Sequence, residues 1–462
     1  MIERGAMAHF QFGGGAAATV LHPLVAVAML IASALILSRP RDKAITPFLL
    51  AYFTIPFGQV LVLGGVHFMM HQILILTVLA RMAAFRSSSS TRRLAGGFSV
   101  LDKLVVLWTL LELIMLVLEW PELQALIKGL GDLVVTLGGY LAVRFLIPDR
   151  EAVRRTIKVL AVICVIQSAC MVSEQFTHQN AFSFCGGPWT SIRNGHVRSE
   201  GVMGTLYGGT IAGLSIPLFL WLWTERKSRM VAYAGLAGAT VMVFTSHAST
   251  SWFAYGASLV GLCFWPLRKQ MRLVRWGIVA TLVGLHLVMH GPVWSLIEKI
   301  DLTGGSSNYH RYMLVDNCIR HFGDWWLIGY RYYGDWGFDM WDLCNQFVVA
   351  ALTGGLLTLV IFIAIYSRSF GAIGTARKHV AGDRGQEWFL WCTGSVLFAL
   401  VVASFGINYM YYVTAFFFCL LACISVATFE ARQATVRSVK TLDQEQFASA
   451  SSAAGSISWL KT

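Results

Sequence analysis

Apolar segments of about 20 residues recur along this chain from near one end to the other. An α-helix of that length spans the ~30 Å hydrocarbon core of a bilayer. Charged residues make up only 13% of the 462 residues, about half of the roughly 25% found in soluble domains. The pattern excludes a soluble globular enzyme and a disordered protein, and it predicts an all-α polytopic membrane protein. The period-two alternation of an outer-membrane barrel is missing from the sequence.

We predict a transmembrane helical bundle of 12–13 spans within residues 1–428. The predicted spans are 17–37, 45–63, 66–85, 100–120, 124–147, 157–177, 205–223, 230–246, 251–267, 274–290, 345–366, 388–407 and 409–428. The second and third are the weakest division, because one broken or re-entrant element around Gly64, Gly65 and His67 would fit equally. A polar tail, 429–462, is rich in Ser and Ala, a composition typical of partly disordered segments.

The basic residues indicate the orientation. Of the 36 lysines and arginines, 28 fall on one side of the predicted spans, and the side with the excess is normally the cytoplasm. The outer loops 178–204 and 291–344 would then face the periplasm, the longer one containing short helices, and the tail would face the cytoplasm. The eight outer basic residues are Arg4, Lys128, Arg193, Arg198, Lys299, Arg311, Arg320 and Arg331. The net charge of +12 is therefore a topology signal, and we expect no nucleic-acid partner.

The loop 291–344 is unusually aromatic. Two interpretations stay open: an interfacial belt of Trp and Tyr, or a platform for sugar rings, with Trp325 and Tyr330 as candidate contacts. The stretch from Tyr309 to Ile328 also predicts an amphipathic helix near the membrane surface. The aromatic residues are Trp294, Tyr309, Tyr312, Phe322, Trp325, Trp326, Tyr330, Tyr332, Tyr333, Trp336, Phe338 and Trp341.

Four outer arginines, Arg193, Arg198, Arg311 and Arg331, lie where the charge bias disfavours them. Arginine binds phosphate oxygens through two parallel hydrogen bonds and stays charged at any relevant pH. A cavity lined by several arginines suits an anionic group such as a lipid pyrophosphate. The alternative for each one is a surface position or an ion pair with an acid of its own loop.

Charged residues inside the predicted spans are candidates for function. Lys128 and Asp132 are four residues apart, so we expect them to pair on one helix face. Glu112 has no evident partner in sequence and would be a proton-relay group or bond a neighbouring helix. Histidine pairs at i, i+4 lack a third ligand, and no nucleotide or metalloprotease motif is present. We therefore expect no metal and no cofactor.

Four segments together resemble the O-antigen ligase and O-antigen polymerase superfamily of bacterial membrane glycosyltransferases, within 185–366. They are His196-Val-Arg198-Ser-Glu200-Gly-Val-Met-Gly204, Asn308-Tyr-His-Arg311-Tyr-Met-Leu, Trp325-Trp-Leu-Ile-Gly329-Tyr, and Asp342-Leu-Cys-Asn345-Gln-Phe-Val followed by Thr353-Gly354-Gly355-Leu356-Leu357. The resemblance implies metal-independent transfer of glycan from an undecaprenyl-pyrophosphate carrier to an acceptor hydroxyl on the periplasmic face.

By matching positions, the resemblance assigns pyrophosphate binding to Arg198 and Arg311, with Arg193 and Arg331 as weaker candidates. It also makes Glu200 and Asn345 candidates for substrate binding.

One departure concerns the base. The family typically has a histidine where this chain has Cys344, and a thiol is largely protonated at neutral pH unless it is activated. Asp342 lies just upstream and would serve as general base, as in an exopolysaccharide-type subgroup. Its alternative role is to cap the helix that follows.

The sequence therefore favours an inner-membrane glycosyltransferase, of polymerase or ligase type, in O-antigen or exopolysaccharide synthesis. Its partners would be the lipid-linked glycan, the bilayer and other polysaccharide-assembly proteins. The alternative is a transporter or flippase for a lipid-linked saccharide or another polar solute, which predicts two pseudo-symmetric halves and helices broken at the midplane.

Overall fold

Helices make up most of the chain in the computed structural model, which describes residues 19–85, 93–193, 195–299, 307–337 and 339–457. Arg4, Phe338 and loop residues 300–306 lie outside these ranges. The first eight helices are α1 Pro23–Ser38, α2 Ile45–Thr54, α3 Met70–Ala84, α4 Val100–Glu119, α5 Leu123–Leu133, α6 Gly139–Leu146, α7 Arg150–Thr177 and α8 Thr205–Trp223. Then follow α9 Arg229–Ser246, α10 Ser249–Cys263, α11 Met271–Val288, α12 Leu296–Lys299, α13 Ser307–Arg320, α14 Phe322–Trp325, α15 Gln346–His379, α16 Arg384–Ala403 and α17 Tyr411–Ile457.

Membrane-spanning helices dominate this architecture. Seven helices of the described part are long and apolar enough to cross a bilayer, and α1 and α3 are shorter apolar helices. The seven are Leu123–Leu146, Arg150–Thr177, Thr205–Trp223, Met271–Val288, Gln346–His379, Arg384–Ala403 and Tyr411–Ala434. The protein is thus an all-α, multi-pass helical membrane protein, as predicted, whereas the larger count of 12–13 spans stays a prediction.

The chain between 45 and 69 corrects the division into two full spans. Helix α2 has 10 residues, about 15 Å of helix, which is half of a bilayer core. It is followed by an antiparallel hairpin of β1 Val60–Leu63 and β2 Val66–Met69, whose turn residues Gly64 and Gly65 have positive φ angles of 57° and 80°. The alternative of one broken element around these glycines is therefore confirmed.

The centre of the bundle is α17. Within Tyr411–Ala434, 94% of the most apolar 18-residue stretch is buried inside the protein. Phe416, Phe417 and Phe418 are at most 1% exposed. The helix continues to Ile457, well into the polar tail, for which disorder stays a prediction. Helix α11, by contrast, buries no residue, so it lies at the periphery.

Helix α15 is broken where the loop that precedes it packs against it. Gly354 and Gly355 have non-helical dihedral angles inside the helix. The backbone N–H of Tyr330 donates to Leu352 O (2.9 Å), and that of Leu356 donates to Trp326 O (2.8 Å). These bonds satisfy groups that the break would otherwise leave without a partner, and they join two of the sequence segments noted above.

The predicted helix from Tyr309 to Ile328 is confirmed in two pieces, α13 and α14, which separate at His321.

Lys128 and Asp132 form the expected ion pair, at 2.6 Å between Nζ and Oδ2. Glu112 bonds a neighbouring helix, accepting a long hydrogen bond from Thr353 Oγ1 of α15 (3.4 Å).

Candidate functional site

The first element of the site is a hairpin after α7. Strands β3 Ser191–Arg193 and β4 His196–Arg198 pair antiparallel, with Arg193 opposite His196 and Ser191 opposite Arg198. Directly opposed residues, and residues two apart along a strand, share one face of a sheet. Arg193, His196 and Arg198 therefore share one face of this hairpin.

Glu174 lies in the last turn of α7, is fully buried, and fixes the position of the hairpin. Its Oε2 accepts hydrogen bonds from the backbone N–H of Glu200 (3.0 Å) and of Gly201 (3.1 Å). Its Oε1 accepts one from Thr190 Oγ1 (2.7 Å). A fully buried carboxylate needs such partners. Both oxygens of Glu174 therefore hold the segment that contains the hairpin.

Arg311 enters from α13 and is the most buried of the outer arginines, at 7% exposed. Its Nη1 donates to Asn308 Oδ1 (2.8 Å) and its Nη2 donates to Thr250 Oγ1 (2.8 Å). Thr250 in turn donates to Gly406 O (3.1 Å), between α16 and α17. These two neutral side chains fix the position of the guanidinium.

Three of the predicted arginines converge. Burial is the main cause that lowers the pKa of both Arg198 and Arg311, and the nearby charge of Arg193 lowers each further. The Nε atoms of Arg198 and Arg311 are buried and make no hydrogen bond within the described chain. The three arginines form no salt bridge with any other described residue. Two N–H donors inside a cationic cluster are therefore available to an anion.

Asp342 and Cys344 complete the cluster at the end of the long loop. Both act electrostatically on Arg311, and the Cys344 thiol contacts its guanidinium. Burial raises the pKa of Cys344 to about 11, although the Arg311 charge opposes that shift. The thiol is therefore neutral at physiological pH. Asp342 is exposed, and its carbonyl oxygen lies 2.8 Å from His310 Nε2.

The structure rejects the capping role for Asp342. The N-cap of α15 is Asn345, whose Oδ1 accepts from the backbone N–H groups of Phe347 (3.0 Å) and Val348 (3.3 Å). Asn345 is 1% exposed, so its side chain is committed to the helix end. Asp342 makes no such bond and leaves its carboxylate free to face solvent.

Glu200 likewise has a local task. Its Oε1 accepts from Ser191 Oγ (2.8 Å) and its Oε2 accepts from the backbone N–H of Thr205 (3.0 Å), at the start of α8. Burial raises the pKa of Glu200, and these hydrogen bonds oppose the rise. It ties the hairpin to α8 beside the arginines.

The remaining predicted residues are engaged elsewhere. Arg331 pairs with Glu119 of α4, at 2.8 Å between Nε and Oε2. Trp325 is 4% exposed and donates to Cys318 O (2.7 Å), so it is a core residue of the loop. Tyr330 stacks on Trp336, with ring centroids 5.4 Å apart and 6° between planes.

An apolar cavity of about 260 Å³ opens beside the cluster. Its lining includes Phe57, Met203, Tyr207, Met410 and Tyr412. Tyr207 lies between the two regions, because it lines the cavity and the Asp342 charge acts on it. Its hydroxyl donates to Asn408 Oδ1 (2.7 Å).

Sequence reasoning missed Thr250, Tyr207 and Asn408. A signal existed for Thr250 alone, since Ser249, Thr250 and Ser251 make a polar run at the start of an apolar span. The other two are single polar residues that bond each other across a separation of 201 residues.

Over the described ranges, no group of three or more His, Cys, Asp or Glu side chains could hold a metal ion. Compared with known proteins, the chain matches no family model and no curated sequence.

Proposed function

We propose that this protein is a metal-independent glycosyltransferase of the bacterial inner membrane. It would transfer oligosaccharide units from an undecaprenyl-pyrophosphate carrier, as a polymerase or ligase, and would be an exopolysaccharide-type relative of the O-antigen ligase and polymerase superfamily. The observation that carries the proposal is the convergence of Arg193, Arg198 and Arg311, with two buried and unpartnered Nε donors, beside the free carboxylate of Asp342.

The proposed chemistry assigns one task to each group. Asp342 accepts the proton of an acceptor hydroxyl, whose oxygen attacks the anomeric carbon of the donor glycan. The bond between that carbon and the pyrophosphate oxygen breaks, and both its electrons leave with the pyrophosphate. Arg198 and Arg311 stabilise the charge that develops there, because fixed donors in a buried site need no reorganisation.

The apolar cavity supports a lipid-linked donor. Its lining of Phe57, Met203 and Met410 suits a hydrocarbon chain, and Tyr207 connects it to the charged cluster. A soluble nucleotide-sugar donor would have no use for such a surface. The bilayer and the lipid-linked glycan are thus the proposed partners, with other polysaccharide-assembly proteins beyond them.

The rival proposal is a transporter or flippase, and the break in α15 gives it little support. Discontinuous helices in transporters point their free backbone groups at solute or ions. Here the groups beside Gly354 and Gly355 are bonded to the loop backbone at Trp326 and Tyr330, so this break is a packing joint.

Reconstitution tests the proposal. Purified protein in liposomes with an undecaprenyl-pyrophosphate oligosaccharide should give longer glycans or transfer to an added acceptor, also in excess chelator. The Asp342→Asn protein is the matched control and should form product at least about 10²-fold more slowly. Movement of intact donor between leaflets without any new glycosidic bond would instead favour the flippase.

A further inference from the structure

Two exposed histidines extend the arginine cluster outward. His196 on β4 and His247, just after α9, stack with ring centroids 5.1 Å apart and 14° between planes. His196 shares its hairpin face with Arg193 and Arg198. The Arg198 charge acts on His247. Four basic side chains therefore border one outward-facing surface.

The histidine pair is held in a fixed arrangement. The Gln175 Nε2 of α7 donates both to Val197 O (2.8 Å), on the hairpin, and to Thr245 O (3.0 Å), near the end of α9. The Ser199 N–H also donates to Thr245 O (3.1 Å). These bonds fix the positions of both histidines relative to Arg198.

His247 occupies a costly conformation. Its φ is 46°, in the left-handed region that a helix end usually fills with Gly or Asn. A non-glycine residue that persists there marks a candidate functional position. In this case the ring it carries faces another imidazole next to two guanidinium groups.

The Glu200 charge acts on Arg198, but the nearby acids make their hydrogen bonds to other groups. Glu200 bonds Ser191 and the Thr205 N–H, and Glu174 bonds Thr190 and two backbone groups. Neither histidine forms an ion pair among the described residues. Burial lowers the pKa of His247, and the charges of His196 and Arg198 lower it further. The free protein therefore holds His247 neutral near neutral pH.

We propose that His196, His247 and Arg198 form an oxyanion subsite that takes up a proton on His247 when the anion binds. The bound oxyanion supplies the negative charge that the protonated ring lacks in the free protein. By linkage, the affinity for the anion rises as pH falls through the range in which the ring titrates. The oxyanion is the carboxylate of an acidic sugar or the carrier's phosphate; only its assignment to a substrate rests on the proposed function.

Sulfate is the first probe, because it remains a dianion across the pH range used. From about pH 7.5 to about pH 5.5, its affinity for the full-length protein should increase about three- to tenfold, since one histidine gains its charge. Calorimetry in two buffers of different protonation enthalpy should show net proton uptake.

Two variants serve as controls. His247→Asn keeps the left-handed backbone at low cost, since Asn tolerates that region, and His196→Gln removes the stacked ring without touching that turn. Each should remain monodisperse and bind sulfate through the arginines. The His247→Asn protein should lose the pH dependence and the proton uptake, whereas the His196→Gln protein should keep both, because it retains the ring that takes up the proton. If His247→Asn fails to fold, His247→Gly replaces it, since glycine also adopts the left-handed region.

The source of the oxyanion is distinguished by repeating the titration with D-glucuronate and with inorganic pyrophosphate. A histidine-dependent pH effect with glucuronate assigns the subsite to an acidic sugar, and the same effect with pyrophosphate assigns it to the carrier. Sulfate affinity that does not change with pH in the native protein, or that changes equally in the native protein and in His247→Asn, would overturn the proposal. Failure of glycan transfer with these binding results intact would count only against the proposed function.

Discussion

Arg311 is the residue on which the proposed chemistry depends most. Arg311→Ala should lower transfer activity about 10²-fold or more, because the departing pyrophosphate would lose a charged donor in a buried site. Arg311→Lys should restore activity only in part, since lysine lacks the planar fork held by Asn308 and Thr250. Turnover in reconstituted vesicles is the measurement.

Arg320 on the same helix is the matched control. Its side chain is 71% exposed and pairs with Asp316 at 2.6 Å, so Arg320→Ala should retain normal turnover. Equal losses in the two alanine variants would show that α13, rather than the Arg311 charge, is what activity requires.

Because Asn345 and not Asp342 caps α15, the roles of base and cap can be tested separately. Asp342→Asn should lower turnover about 10²–10⁴-fold by removing the base, while thermal stability changes little. Asn345→Ala should lower stability by about 1 kcal/mol, because it removes the cap of α15. Activity and unfolding temperature should be measured on both proteins, and a fully active Asp342→Asn enzyme would refute the assignment of the base.

The raised pKa of the Cys344 thiol predicts how its alkylation rate depends on pH. With its pKa raised to about 11 by burial, roughly one thiol in a thousand is ionised at pH ~8. Alkylation by iodoacetamide, followed by mass spectrometry, should be slow there and accelerate about tenfold per pH unit towards pH ~11. Complete labelling near neutral pH, at the rate of a free thiol, would show an activated thiolate instead.

The site residues were only partly predictable from sequence. The charge bias pointed to four outer arginines, because arginine is rare on the outer side of a membrane protein and that bias needs no tertiary information. The choice of Arg198 and Arg311 among them rested on the resemblance of their segments. The pairing of Arg331 with Glu119 and the burial of Trp325 were not identifiable. Each depends on how the loop folds back onto α4 and α15, over contacts distant in sequence.

At the scale of elements, the joint between the loop and α15 depends on two glycines. A Cβ at Gly329 would lie 2.3 Å from Leu352 O, and one at Gly355 would lie 2.6 Å from Leu327 O; both residues have positive φ. Alanine at either position should therefore cost about 1–3 kcal/mol through strain and lost backbone bonds. The unfolding temperature of the purified protein measures this loss.

Gly334→Ala is the control for that prediction, because nothing lies within 4 Å of a Cβ there and its φ is not positive. It should unfold at the temperature of the native protein. If Gly329→Ala also did, the loop and α15 would be less tightly joined than their hydrogen bonds indicate.

Periodicity predicted the long helices because a 20-residue apolar run leaves few alternatives in a membrane. It failed at 45–63, where a β-rich run, Val60–Leu63, follows a helix of only 10 residues. Apolar content is the same for a strand and a span, so hydropathy cannot separate them. The paired glycines at 64 and 65 were the available signal for the hairpin.

For the whole molecule, the charge bias predicts which ends of the bundle face outward. In a chain with its nine cysteines replaced, a cysteine at Asp335 should react with an impermeant maleimide applied to spheroplasts. A cysteine at Lys43 should react only after the membrane is opened. The reverse pattern would invert the topology and move the arginine cluster to the cytoplasm.

The joint between the outer loop and α15 also determines what a surface binder could report. Trp326 and Leu327 are 47% and 61% exposed, yet their backbone carbonyls lie against the break in α15. An antibody fragment raised against these two side chains would therefore recognise a conformational epitope, one that exists only while the helix keeps its break. Fluorescently labelled, such a fragment would report the shape of a membrane-spanning helix through a surface that lies on the neighbouring loop.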